Sequence, residues 1–214
     1  MSVSLKKLDA QFDFVAVIDC LPQTQRVGYK ISSELSGIFQ RNGYGIEVFN
    51  CNNRSDFYSA FDQLRIISET GENFMIHFVS HGNSDGLYIE ASDEFIIWDE
   101  LRDLIFPINS QVRESLVLNM TSCFGLNVIK ANDPSNVDRP FFGIIGCHRD
   151  LVIREALVIN TLFYESLMSG CEIGYIIGEI QDYFLKNGCS DEVIYCISSE
   201  GFSLISNNKS KYLK

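Results

Sequence analysis

The sequence predicts an α/β protein: a three-layer sandwich in which a six-stranded, mostly parallel sheet carries helices on both faces. Three observations predict it. Six short runs are nearly continuous in apolar residues, as strands covered on both sides must be. Segments with helical apolar spacing alternate with those runs, the pattern of crossover connections between parallel strands. The 214 residues are 46% hydrophobic and include 16 Phe and 9 Tyr, enough for one substantial core. No repeat, low-complexity stretch or linker divides the chain, so residues 1–214 are expected to form a single domain.

The six runs are "FVAVI" (14–18), "IEVF" (46–49), "FMIHFV" (74–79), "LVLNM" (116–120), "FFGII" (141–145) and "VIYCI" (193–197). Between the first two, Val27, Ile31, Leu35 and Ile38 fall on one helical stripe, and Gly43 follows as a stop signal. Between the second and third, Phe57, Phe61, Leu64 and Ile67 repeat the pattern after Ser55, a suitable N-cap. "GLYIE" and "EFIIW" read as a small hairpin inserted after the third strand. Two further helices are expected over 153–169 and 172–185.

Composition narrows the function. A charged fraction of 21% and only 4 Pro argue against disorder. A net charge of -11 argues against a broad basic face for nucleic acid or an anionic membrane. The "NKSKYLK" tail reads as a solvated basic end. Neither a signal peptide nor a membrane span is legible in the apolar runs. Seven cysteines, none in a CxxC pair and several inside apolar runs, suit a reducing, cytoplasmic setting.

Ligands of open parallel sheets bind at the carboxyl ends of the strands. Those ends carry Asp19-Cys20, His81-Gly82, Thr121-Ser122-Cys123 and Cys147-His148. If the third and fourth strands are neighbours, about 5 Å apart, His81 and Cys123 extend from adjacent ends. The imidazole could then take the thiol proton and return it to a leaving amine. The Gly82 and Cys123 N–H groups would be the natural oxyanion donors, glycine allowing close approach to a carbonyl. Spacing alone leaves other readings open: an inert core thiol at Cys123, a tolerated polar residue at His81, or zinc held by His81, Cys123, Cys147 and His148. Zinc is disfavoured because adjacent Cys147-His148 lack ligand spacing. His77, inside its strand, reads as a buried, hydrogen-bonded histidine. "DCLPQTQRVG" lacks a phosphate-binding glycine motif. No cofactor or metal is expected.

"FMIHFVSHG", followed further on by the Cys of "LVLNMTSCFG", resembles the His-Gly and Cys segments of caspase-like cysteine peptidases. "IIWDELRDLI", "FFGIIGC" and "REALVINTLFYESLMSGCEIGYII" are most similar to the CHAT branch of that superfamily, the likeness running over roughly residues 12 to 200. The resemblance implies a caspase-like fold and a His81–Cys123 dyad needing no third residue. It also implies a substrate pocket near Arg26, Asp19 and Thr121. Arg26 stands where caspases carry a pocket arginine, which favours an acidic substrate residue. Asp19 and the acidic overall charge favour Lys or Arg instead. Thr121 is neutral and cannot form the acidic floor of basic-specific relatives. The sequence does not choose between these pockets.

The expectation is therefore a cytoplasmic cysteine endopeptidase acting on a protein substrate. The 124–140 loop, "FGLNVIKANDPSNVDRP", is rich in Asn, Asp, Gly and Pro, and a separate regulatory protein partner is expected to order it. The resemblance places such a pair in a bacterial, antiviral defence or cell-death system. Two alternatives come from other classes: a catalytically silent CHAT-like interaction module, and a small-ligand regulatory domain using the same crevice.

Overall fold

A computed structural model describes residues 12–131, 139–189 and 193–198. The segment through residue 11, the lysine-bearing tail and residues 132–138 of the loop after Cys123 lie outside the described residues. The first half of the chain runs β1 (Phe14–Asp19), α1 (Gln23–Tyr29), α2 (Ile31–Asn42), β2 (Gly45–Asn50), α3 (Arg54–Glu69) and β3 (Phe74–Val79). A small antiparallel sheet follows, made of β4 (His81–Gly82), β5 (Gly86–Ile89) and β6 (Glu94–Ile97). Then come α4 (Trp98–Gln111), β7 (Val117–Met120), a 3-10 helix (Gly125–Ala131), β8 (Gly143–Gly146), α5 (Ile153–Met168), α6 (Ile173–Lys186) and β9 (Tyr195–Ser198).

The main sheet has six strands in the order β2-β1-β3-β7-β8-β9, all parallel except the β8–β9 pair. Strand side chains alternate between faces, so each central strand feeds two cores. Ala16, Ile18, Ile76, Phe78 and Leu118 pack under α3 and α4, against Phe57, Leu64, Leu101 and Ile105. Val15, Val17, Met75 and Val117 turn the other way, towards Leu35 and Phe39 of α2, Ile159 and Phe163 of α5, and Ile176 of α6. Each buried Val, Leu, Ile, Phe or Met among them contributes about 1.5–3 kcal/mol. These two cores make the predicted three layers.

The structure departs from the sequence reading in several places. The first helical stripe is broken: Lys30, at φ 59°, separates α1 from α2, and Val27 is 62% exposed while Ile31, Leu35 and Ile38 are buried. Asn53, not Ser55, caps α3, its side chain accepting from the Asp56 N–H at 2.9 Å. "WDELRDLIFPINSQ" forms the helix α4, which the sequence reading did not assign. Residues 125–131, expected as loop, form the 3-10 helix, because Val128 and Ala131 bury completely and the Leu126 N–H reaches the Cys147 carbonyl at 3.0 Å.

Candidate active site

Strands β3 and β7 are hydrogen-bonded neighbours, with Met75 opposite Val117 and His77 opposite Asn119. Their carboxyl ends therefore deliver Ser80-His81 and Thr121-Ser122-Cys123 to one place. There a cavity of about 40 Å³ is lined by both His81 and Cys123, by Thr121 and Ser122, and by Asn160 of α5. The cysteine sits in a turn with little slack. Phe124, next in the chain, has φ 53°, a left-handed conformation uncommon outside glycine. A Cβ at Gly125 would lie 2.0 Å from the Met120 carbonyl oxygen, so only glycine fits there.

The loop after β8 buttresses this turn. The Phe124 N–H reaches the Arg149 carbonyl at 3.1 Å. The Leu151 N–H points at the Cys123 sulfur at 3.4 Å, an interaction that strengthens when the sulfur carries negative charge. The loop itself is held by Arg149, which grips Glu155 through two bonds of 2.9 and 3.0 Å and keeps that carboxyl below its usual range. Among the described residues, the Cys123 N–H has no backbone acceptor.

His81 has two named partners on one ring nitrogen. Its Nε2 lies 3.1 Å from Glu90 Oε2 and 3.2 Å from Gln25 Oε1. The Gln25 amide nitrogen donates to both Glu90 oxygens at 2.6 and 2.7 Å, so its carbonyl oxygen must be the atom facing the ring. Both partners of Nε2 are thus acceptors, and Nε2 carries the hydrogen. In the neutral ring, Nδ1 is left with the lone pair that could take a thiol proton. No hydrogen bond joins imidazole to thiol among the described residues. Sequence reasoning missed Glu90 and Gln25, since nothing local in "GLYIE" or "QTQRVG" tells that both reach His81.

Gly82 lies against the cysteine segment. A Cβ there would be 3.0 Å from the Cys123 carbonyl oxygen. Bonded and unbonded pairs alternate along an antiparallel ladder. The Asn83 N–H bonds the Gly86 carbonyl at 3.1 Å, so Gly82, opposite Leu87, is the unbonded pair. Its N–H points away from β5.

The pocket residues named with the resemblance separate. Thr121 lines the cavity; Arg26 and Asp19 do not. Arg26 Nε meets Asp19 Oδ1 at 3.2 Å, and its other nitrogens reach the carbonyls of Asp19 (2.8 Å) and Cys51 (3.3 Å) and the Asn52 side chain (2.8 Å). Asp19 also accepts from the Leu21 N–H and the Ser32 hydroxyl. The pair ties the end of β1 to the end of β2, and neither charge is directed at Cys123. Of the residues weighed for zinc, Cys147 is buried, with its thiol pushed up to about 12 by desolvation. His148 packs edge-on against Tyr195. His77 is fully buried and bonds Tyr164 through Nδ1 at 2.9 Å.

Strand order, parallel register and the placing of both cores define a caspase-like α/β fold. Among solved structures, the chain is similar to the crystal structure of drICE, a caspase, with a TM-score of 0.52 over 90% of each chain. Identity is 10%, so the likeness is one of fold. No family model and no curated protein sequence matches the chain.

Proposed function

We propose that the protein is a cysteine endopeptidase of the caspase-like type, with Cys123 as nucleophile and His81 as proton carrier. One observation carries the reading: the two residues leave adjacent strand ends and line a single cavity. In the proposed reaction, His81 Nδ1 takes the thiol proton and the sulfur attacks the scissile carbonyl carbon. The Gly82 and Cys123 N–H groups receive the developing oxyanion. The C–N bond breaks as the amine takes the proton from His81, leaving a thioester on Cys123. Water, deprotonated by His81, then attacks the thioester; the acid product leaves and the thiol is restored.

The resemblance to CHAT peptidases supports a cytoplasmic setting, a protein substrate and a separate activating partner in a defence or cell-death system. A second reading has a specific observation in its favour. His81 is engaged by Glu90 and Gln25 rather than by the thiol, as it would be in a catalytically silent interaction module. Incubation with a thiol-reactive peptidyl ketone separates the two. A peptidase is labelled at Cys123, loses labelling in Cys123→Ala, and is impaired in His81→Ala. Absence of labelling with and without candidate partners would leave the silent module.

A further inference from the structure

Five side-chain atoms among the described residues are buried without a hydrogen-bond partner: His77 Nε2, Ser80 Oγ, Ser122 Oγ, and both Nδ2 and Oδ1 of Asn160. All four residues line the one cavity beside Cys123. Orphaned polar groups are costly and scattered in ordinary interiors. Here the four residues that carry them line a single space next to a candidate nucleophile.

The hydrogen each can offer follows from the network behind them. The Thr121 N–H can only donate, and it points at Asn119 Oδ1 at 3.1 Å. That orients the Asn119 amide, whose nitrogen donates to the Tyr164 hydroxyl at 3.2 Å. The phenol hydrogen is then best placed on His77 Nδ1, the arrangement that leaves no hydrogen stranded behind the cavity. His77 therefore carries its hydrogen on Nε2, the ring nitrogen left without a partner. Asn160 adds one donor group and one acceptor, and the two serine hydroxyls can serve as either.

The lining contains no Asp, Glu, Lys or Arg. A substrate carboxylate would meet no Lys or Arg there, and a lysine or arginine no Asp or Glu, so either charge would be poorly paired. An aliphatic side chain would leave all five atoms unsatisfied. A carboxamide matches the set. Its oxygen can accept from His77 Nε2–H, and its O and NH2 can pair reciprocally with Asn160. A cavity of about 40 Å³ holds a few waters or one group of that size.

We propose that this cavity is the specificity pocket of the peptidase described above, on which the inference rests, and that it takes the side-chain carboxamide of Asn or Gln before the scissile bond. The test is a panel of fluorogenic peptides differing only at that residue, assayed on the full chain. Asn or Gln peptides should exceed Asp, Lys and Leu peptides by about 100-fold or more in kcat/KM, as expected where a site is built to hydrogen-bond its substrate. Asn160→Leu should collapse that ratio, whereas mere loss of folded protein would lower all peptides alike. In parallel, ligand-observed NMR on Cys123→Ala should detect the Asn peptide, with the signal lost in Cys123→Ala/Asn160→Leu. Cleavage dependent on Cys123 but best after a charged or aliphatic residue overturns the pocket and leaves the peptidase standing. Binding of the Asn peptide without cleavage keeps the pocket and removes the peptidase. Neither cleavage nor binding overturns both.

Discussion

His77 lies opposite Asn119 across the β3–β7 ladder, and both side chains end on the hydroxyl of Tyr164 from α5. The three residues lock the sheet to the helix that carries Asn160, so the back wall of the cavity depends on them. Tyr164→Phe keeps the ring, which packs edge-on against Phe39 and Phe163, and strands two buried polar groups. The expected loss is about 2–6 kcal/mol by urea unfolding, given roughly 1–3 kcal/mol for each unpaired group. Unchanged stability would mean that the phenol is not the link.

Burial also sets an acid sensitivity. It pushes the His77 imidazole down to about 3, against about 6.5 in an unfolded chain. Between those values the unfolded chain binds a proton that the folded protein refuses. Stability from this residue is therefore intact above about 6.5 and falls as pH drops towards 3, by at most about 1.4 kcal/mol per pH unit. Comparing unfolding of wild type and His77→Gln between about pH 7 and 5 isolates the effect from the carboxylates. The wild type should show the steeper slope.

Glu90 fixes the hydrogen of His81 on Nε2. Glu90→Gln replaces one acceptor with a group that can present a donor, and the ring loses its fixed tautomer. General acid–base transfer supplies about 10²–10⁴-fold, and we expect roughly a tenth of the activity to remain, chiefly through kcat. An increase would mean instead that the Glu90–Gln25 pair restrains the imidazole.

Gly125→Ala forces a methyl group onto the Met120 carbonyl. Overpacking of this kind costs about 1–3 kcal/mol, and here the strain falls within two residues of Cys123. Labelling of the thiol by a peptidyl ketone should slow more than the loss of folded protein explains.

Arg26 and Asp19 are expected to act on stability and not on substrate choice. The side chains are 10% and 2% exposed. Arg26→Ala leaves a buried carboxylate short of its cation and should destabilise by about 3 kcal/mol. The peptide preference of the proposed peptidase, measured on the folded fraction, should not move. A shift in preference would return Arg26 to the pocket.

Most of the fold was legible in the sequence because strands covered on both faces must be apolar at nearly every position. The four central runs were visible for that reason, whereas the edge strands β2 and β9 are only partly buried. His81 and Cys123 could be placed at strand ends, and the pairing of β3 with β7 makes those ends neighbours. Element boundaries were less legible. The α1–α2 break at Lys30 depends on a single left-handed residue, and α4 carries an internal Pro107 that obscures its helical spacing. A signal for Asn160 did exist: it lies on the buried stripe of α5 with Ala156, Ile159, Phe163 and Tyr164, where a carboxamide is out of place.

The sequence by itself determined the layers and the residue types that stand at the strand ends; that β3 and β7 are neighbours was decided by the sheet order. Hydrophobic burial is non-directional and follows the period of the backbone, so a linear pattern is enough to encode it. Only the tertiary structure decided which polar groups satisfy one another. Arg26 could have faced a substrate, but the joined ends of β1 and β2 give it Asp19 and two carbonyls instead. Glu90 could have been one more surface carboxylate, but the turn of the small sheet sets it on His81. Hydrogen bonds require donor and acceptor to meet within a few tenths of an ångström, and for residues far apart in the chain that distance is set by packing alone.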